Sequence, residues 1–355
     1  MGGVFRYVNP PTICWGPRSL ERLAEELDRL GVRKPFVVTT RSVAASQSVM
    51  TRLVKAAGRD FVGEPAVIGQ HAPEKQVECA IEAARAAQPD GVLSIGGGSP
   101  IDAAKMVAFE LGGTPHVAVP TTLSAAELAP SAGVTDQAGR KGGKRDPRLT
   151  PSAVIYDAEL TLHTPLGLWL STGIRALDHA VETILESGEH PYSDTLALEA
   201  VRRLFASLPQ AKARPGALEV RTENQIAAWL SYSLPQAAGG LSHMLGKQIG
   251  SPYGIPHGVT SCLLLPHVMR YRARSEAERL ARLAPPMAAA RPSAPAVELA
   301  SAAADAVYAL IRKLGLPQHL SAYHLTDDQL RAAAEPLASD RYPLDDLLAI
   351  YRAAA

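Results

Sequence analysis

Short apolar, β-branched runs recur through the first half of the chain, at 36–40, 66–68, 91–95, 116–119 and 153–156. Between them the apolar positions fall three and four apart, as at Leu20, Leu23, Leu27 and Leu30 before Gly31, and helices are read over 46–57 and 74–87 as well. Apolar runs without alternation suit strands covered on both faces. Strands alternating with helices therefore predict a parallel sheet with helices on either side. Residues 4–15 read as two short strands broken by Pro10-Pro11, with Ser19 as a cap for the helix that follows.

After about 162 no convincing strand is visible. Helical spacing fills 166–188, 193–208, 218–236, 240–250, 259–274, 297–314, 326–337 and 343–354. The expected organisation is an α/β domain over 1–160 and an all-α domain over 161–355. Residues 120–150 are dense in Gly, Lys, Arg and Ser and read as a loop or hairpin over the sheet's edge. The Pro- and Ala-rich stretch 284–295 reads as a loop between helices.

Composition narrows the classes of function. The chain has 355 residues, enough for two domains, with 46% hydrophobic and 20% charged residues. A net charge of +1 gives no reason to expect nucleic acid or an anionic membrane as partner. Cys14, Cys79 and Cys262 are far apart, which argues against a disulfide framework or a structural zinc site and fits a reducing cytoplasm. No apolar run approaches a membrane span, and residues 1–15 lack the apolar core of a signal peptide.

The stretch from Ser94 to Lys105 joins a buried strand to a helix through Gly96, Gly97, Gly98 and Ser99. Glycines let the backbone approach a pyrophosphate, and a helix start offers free N–H groups and a positive dipole end. A glycine turn without a ligand is the competing reading. Thr121 and Thr122 end one strand and Thr39-Thr40-Arg41 another, where α/β sheets bind ligands. Asp102, early in the helix, and Lys141, in the basic stretch 139–147, complete the candidate cofactor contacts. An acidic residue after the 36–40 strand would read the ribose of NADH; Arg41 could instead meet the 2′-phosphate of NADPH, or simply be solvated.

A second group of residues lies in the helical half. Arg175 and His179 are four apart and share a helix face; Asp178 is placed to pair with Arg175 at i, i+3, and Glu182 shares that side. His243 and His257 lie fourteen residues apart, and the Pro256-His257-Gly258 turn would return His257 beside the helix of His243. Singly, each histidine would be an ordinary core or surface residue. Together with a dinucleotide cradle they form a candidate active site.

The combination of Gly96-Gly97-Gly98-Ser99 with Ile101-Asp102 and Lys105, Pro120-Thr121-Thr122, Arg145-Asp146-Pro147, residues 156–161, Gly173 to Glu182, Pro256-His257-Gly258 and Leu314-Gly315-Leu316-Pro317 resembles the iron-containing (group III) alcohol dehydrogenase superfamily. Within it the chain is most similar to the maleylacetate reductase branch, and the resemblance spans essentially the whole chain. It implies an N-terminal α/β dinucleotide-binding domain and an all-α C-terminal domain, the dehydroquinate synthase-like fold, with the active site in the cleft between them. It also implies a homodimer formed through the N-terminal strands.

Metal-dependent members hold iron or zinc by an aspartate, a histidine four residues on, and two later histidines. The histidines correspond to His179, His243 and His257, but Arg175 stands at the aspartate position and Lys247 at that of a further family histidine. A fixed guanidinium repels a dication, so catalysis without metal is the preferred expectation. NADH or NADPH would pass a hydride to a small-molecule carbonyl, such as an oxo acid like maleylacetate. The histidines would donate hydrogen bonds, one as general acid, and Arg175 or Lys247 would stabilise the alkoxide or grip a substrate carboxylate. In the competing reading Arg175 is a structural ion-pair partner of Asp178 and Glu182. Three rival functions remain: an iron- or zinc-dependent dehydrogenase, a non-redox NAD-using cyclase, and an inactive binding protein.

Overall fold

The computed structural model describes residues 7–232, 239–291 and 293–355, and divides into two compact units, Met1–His163 and Thr164–Ala355. The first unit contains β1 (Ile13–Trp15), β2 (Pro35–Thr39), β3 (Ala66–Val67), β4 (Gly91–Gly96), β5 (His116–Pro120), β6 (Ser131–Thr135), β7 (Lys141–Arg145) and β8 (Ala153–Tyr156). Six of these form one all-parallel sheet in the order β1-β8-β5-β4-β2-β3. Its helices are α1 (Leu23–Arg29), α2 (Arg41–Ala44), α3 (Gln47–Ala57), α4 (Glu74–Ala87) and α5 (Gly98–Glu110).

Pleating sends successive side chains to opposite faces, and here both faces are buried. Val37, Leu93 and Ile95 join a core with Leu23, Leu27 and Leu53; Phe36, Val38 and Val92 join another with Val77, Ala104 and Val107. That is why the strands read as continuous apolar runs. The parallel order sets the ends of β2, β4 and β5 side by side, with Gly96 closing β4 and Thr40 and Thr121 following β2 and β5.

Several local expectations change. Of the two strands expected over 4–15, β1 is present in the described part; residues 4–6 lie outside the described residues. Ser19 does not cap a helix: it sits inside a short 3-10 turn, Ser19–Arg22, whose N-cap is Arg18 at φ 64°. Residues 131–145 form an antiparallel hairpin that packs against α5 and is bridged to Pro73. Asp102 Oδ2 accepts from the Gly133 N–H at 3.0 Å, and the Thr135 N–H donates to the Ala72 carbonyl at 3.1 Å.

The second unit contains α6 (Leu166–Glu186), α7 (Pro191–Ala213), α8 (Leu218–Ser231), α9 (Leu241–Gly250), α10 (His257–Arg272), α11 (Ala277–Ala281), α12 (Ala296–Leu314), α13 (Asp327–Ala334) and α14 (Leu344–Ala353). No strand occurs in it among the described residues. Residues 233–236 of the expected 218–236 helix, and Pro292 of the expected 284–295 loop, lie outside the described residues. The helix expected to stop at 208 runs through Pro209 to Ala213, since a helix can bend past a proline at the loss of one backbone bond.

Helix α6 is buried at every residue from Trp169 to Leu185 and packs on α7, α8 and α10. The start of α10 lies hard against it. A Cβ at Gly258 would stand 2.8 Å from the Ser171 carbonyl, so only glycine lets His257 come in so close. No helix among the described residues is long and apolar enough to cross a membrane.

Candidate active site

In the first unit β4 ends at Gly96 and α5 begins at Gly98. Gly96 has φ +142°, and a Cβ there would lie 2.7 Å from Pro100 and 3.3 Å from Thr40. A Cβ at Gly97 would meet Thr122 at 3.1 Å, and one at Gly98 would meet Ser124 Oγ at 3.3 Å. The cradle is therefore walled by Thr40, Thr122 and Ser124. Helix α5 has no side-chain cap and no acidic residue in its first turn, so its dipole end is left to an anion. Thr122 Oγ1 is buried beside Gly97 with no hydrogen-bond partner. An orphan hydroxyl, a cradle closed to any Cβ and an uncapped helix start fit a pyrophosphate.

Ser99, half-buried in the first turn of α5, and Thr121, whose N–H donates to the Gly96 carbonyl at 2.8 Å, belong to this cradle. Thr39 does not. It is fully buried in β2 and its hydroxyl donates to the Ile95 carbonyl at 2.9 Å, so the strand-end hydroxyl is that of Thr40. Asp102 spends Oδ2 on the hairpin, with Lys141 packed against Gly133 nearby, which makes Asp102 a clasp for the hairpin. Arg41 is exposed as the first residue of α2.

In the second unit α6 carries Arg175, Asp178, His179 and Glu182, all buried. Arg175 Nη1 donates to Asp178 Oδ2 at 2.7 Å. The same oxygen accepts from Ser242 at 3.0 Å and Ser261 at 2.6 Å. Arg175 Nη2 donates to His243 Nδ1. Glu182 Oε1 accepts the His243 backbone N–H at 2.9 Å and so serves the open start of α9. The His243 ring stands edge-on to that of His257, with centroids 4.9 Å apart, and His179 stands edge-on to Tyr232 at 5.1 Å. Lys247 lies one turn beyond His243 on α9, half-buried.

Burial, and after it the charge of Arg175, holds His179 and His243 well below the ordinary imidazole range; His257, Lys247 and His179 add to the effect on His243. Both rings are neutral at neutral pH. Burial, and then the Asp178 charge, holds Glu182 well above the carboxylate range. Burial also pushes Asp178 upward, opposed by Arg175, Ser261 and Ser242. The Arg175–Asp178 ion pair thus lies beside two neutral imidazoles.

This geometry narrows two roles. Arg175 is 2% exposed with both Nη atoms committed inward, so it cannot fork onto a substrate carboxylate. His179 and His243 are neutral and cannot act as imidazolium acids, leaving His257 and Lys247 as the proton-handling candidates. Nor does the donor set suit a metal. Ligation needs lone pairs, whereas a permanently charged guanidinium sits among the histidines and takes that of His243 Nδ1. Among the described residues no group of three or more His, Cys, Asp or Glu is disposed to hold a metal ion. The residues present do not fit iron or zinc.

Sequence reasoning missed Ser242, Ser261, Tyr232, Ser124 and the role of Thr40. Ser261 had a signal: it follows His257 by one helical turn and shares its face. Tyr232 had none, because only packing brings the end of α8 to His179.

The profile described as "Iron-containing alcohol dehydrogenase" matches residues 10–158, and "Fe-containing alcohol dehydrogenase family, C-terminal" matches residues 169–350. A maleylacetate reductase from Pseudomonas knackmussii is 32% identical over 96% of this chain and 95% of its own. The crystal structure of maleylacetate reductase from Agrobacterium tumefaciens aligns at a TM-score of 0.85 and 28% identity, covering 100% of this chain and 98% of that one. That of a 1,3-propanediol oxidoreductase aligns at 0.91 and 26% identity, covering 99% and 100%.

Proposed function

Because the chain belongs to the iron-containing alcohol dehydrogenase family, on its maleylacetate reductase branch, and is an NAD(P)-dependent oxidoreductase, we propose that it reduces a small carbonyl acid with NADH or NADPH and without a metal ion. The observation that carries this reading is the Arg175 guanidinium seated among the histidines and bonded to His243. It occupies the place among the histidines that a metal would need and takes the Nδ1 lone pair of His243.

Held at the cradle of Gly96, Gly97, Gly98 and Thr122, NADH or NADPH would supply the hydride for the carbonyl carbon. Negative charge collects on the carbonyl oxygen, where neutral imidazole N–H groups stabilise it. The oxygen takes its proton through His257 or Lys247, and Lys247 is also the cation suited to a substrate carboxylate. A carbonyl acid is supported by the maleylacetate reductases among the relatives.

The reading is tested by following NADH and NADPH oxidation across a panel of carbonyl compounds, maleylacetate and other oxo acids beside simple aldehydes. The expected result is turnover concentrated among the oxo acids, with His243→Ala lowering kcat about 10²- to 10³-fold, the range for removing one oxyanion donor. Turnover confined to simple alcohols and aldehydes, or an unimpaired His243→Ala enzyme, contradicts it.

A further inference from the structure

We infer that Arg175 is a positioning residue that holds His243 as the neutral tautomer protonated on Nε2, so that the ring meets a carbonyl oxygen as a hydrogen-bond donor. The carbonyl rests on the function proposed above; the tautomer does not.

A guanidinium has five N–H donors, no acceptor, and does not deprotonate in proteins. In its contact with His243 Nδ1, the hydrogen therefore comes from Arg175 and the lone pair from the ring. A neutral imidazole has a single N–H, which must then lie on Nε2. An imidazolium would set N–H against N–H and lose the contact.

The guanidinium is not free to turn away. Nη1 is tied to Asp178 Oδ2, which Ser242 and Ser261 hold from two other helices. Glu182 fixes the His243 main chain, and the His257 ring bounds its side chain. Among the contacts described, it is the arginine's that distinguishes the two ring nitrogens.

The consequence is chemical. An imidazole that ligates a metal donates its second N–H to a carboxylate or carbonyl, which leaves the ligating nitrogen its lone pair. Here the second nitrogen receives a hydrogen bond from a cation. Nδ1 is occupied and Nε2 keeps its proton, so neither nitrogen can ligate. One arginine converts the ring from a ligand into a donor of the kind that stabilises a developing alkoxide.

The test uses the full-length protein grown with nitrogen-labelled histidine, and long-range proton–nitrogen correlation spectra taken without substrate. The His243 signals are identified by their loss in His243→Asn. Wild type is expected to show an acceptor-type Nδ1 and a protonated Nε2. In Arg175→Met the proton redistributes between the two nitrogens, and in Arg175→Lys, which restores a donor without an acceptor, the wild-type pattern returns. Arg175→Met also lowers kcat about 10²-fold with little change in KM for NAD(P)H. A protonated Nδ1 in wild type, or an unaltered tautomer in Arg175→Met, overturns the inference. Should Arg175→Met fail to fold with Asp178 left unpaired, the wild-type spectrum alone still decides. Absence of carbonyl reduction by wild type would defeat the proposed function and leave the spectrum to decide the tautomer.

Discussion

Glu127 is wholly buried in the first unit, its Oε1 accepting from the Tyr156 hydroxyl at 2.7 Å. Burial pushes its carboxyl from 4.5 up to about 7, against the pull of Tyr156, its own backbone and the Lys105 charge. Between those two values the folded protein holds a proton that the unfolded chain has lost. The group's contribution to stability is therefore full below 4.5 and disappears as pH rises through about 7. Unfolding free energy measured against pH should fall by up to about 3 kcal/mol more in wild type than in Glu127→Gln across that window. Parallel curves would contradict the assignment. Nothing in the sequence marks Glu127, because its environment comes from Tyr156, 29 residues on. The Arg175–Asp178 pair was legible because both lie on one helix at i, i+3; the Arg175–His243 contact, 68 residues apart, was not. Thr39 shows how a strand misleads: a shift of one residue exchanges the two faces, so the hydroxyl nearest the cradle belongs to its neighbour.

At the scale of elements, α5 does two things. Its start offers the anion site, and Lys105, two turns in, holds the opposite wall. The ammonium is buried and its three donors go to the carbonyls of Ala126, Ala129 at 2.7 Å and Ser131 at 2.8 Å. Those carbonyls anchor the segment that follows β5, which carries Thr122 and Ser124 beside Gly97 and Gly98. Lys105→Met leaves three acceptors without a charged donor, each such bond contributing roughly 1.5–3 kcal/mol. It should lower the melting temperature and weaken NAD(P)H binding about tenfold, as read by thermal unfolding and fluorescence titration. Unchanged binding in a destabilised variant would show that Lys105 does not set the cradle wall. Helical spacing alone gives Lys105 no role, since its partners lie more than twenty residues downstream. The elements themselves were largely legible. Apolar runs gave the strands, and three-and-four spacing gave the long helices. The short helices α2 and α11 are below the length at which such spacing can be seen.

For the molecule as a whole, the end of the continuous apolar runs near residue 160 was visible because strands buried on both faces and amphipathic helices leave different patterns. The divided architecture follows from that change, with one unit ending at His163 and the next beginning at Thr164. What the pattern could not supply is the state of the histidine cluster: three histidines at family spacing look alike in sequence whether they bind a metal or donate hydrogen bonds. What favours donation over ligation is a contact seen only in three dimensions, a guanidinium bonded to His243 and paired with Asp178. The most direct test is the rate of NAD(P)H oxidation with maleylacetate by enzyme dialysed exhaustively against a chelator, with and without added iron or zinc. A full rate is expected in the chelated enzyme, with no gain from either metal; a rate that vanishes on chelation and returns with iron or zinc would contradict metal-free catalysis.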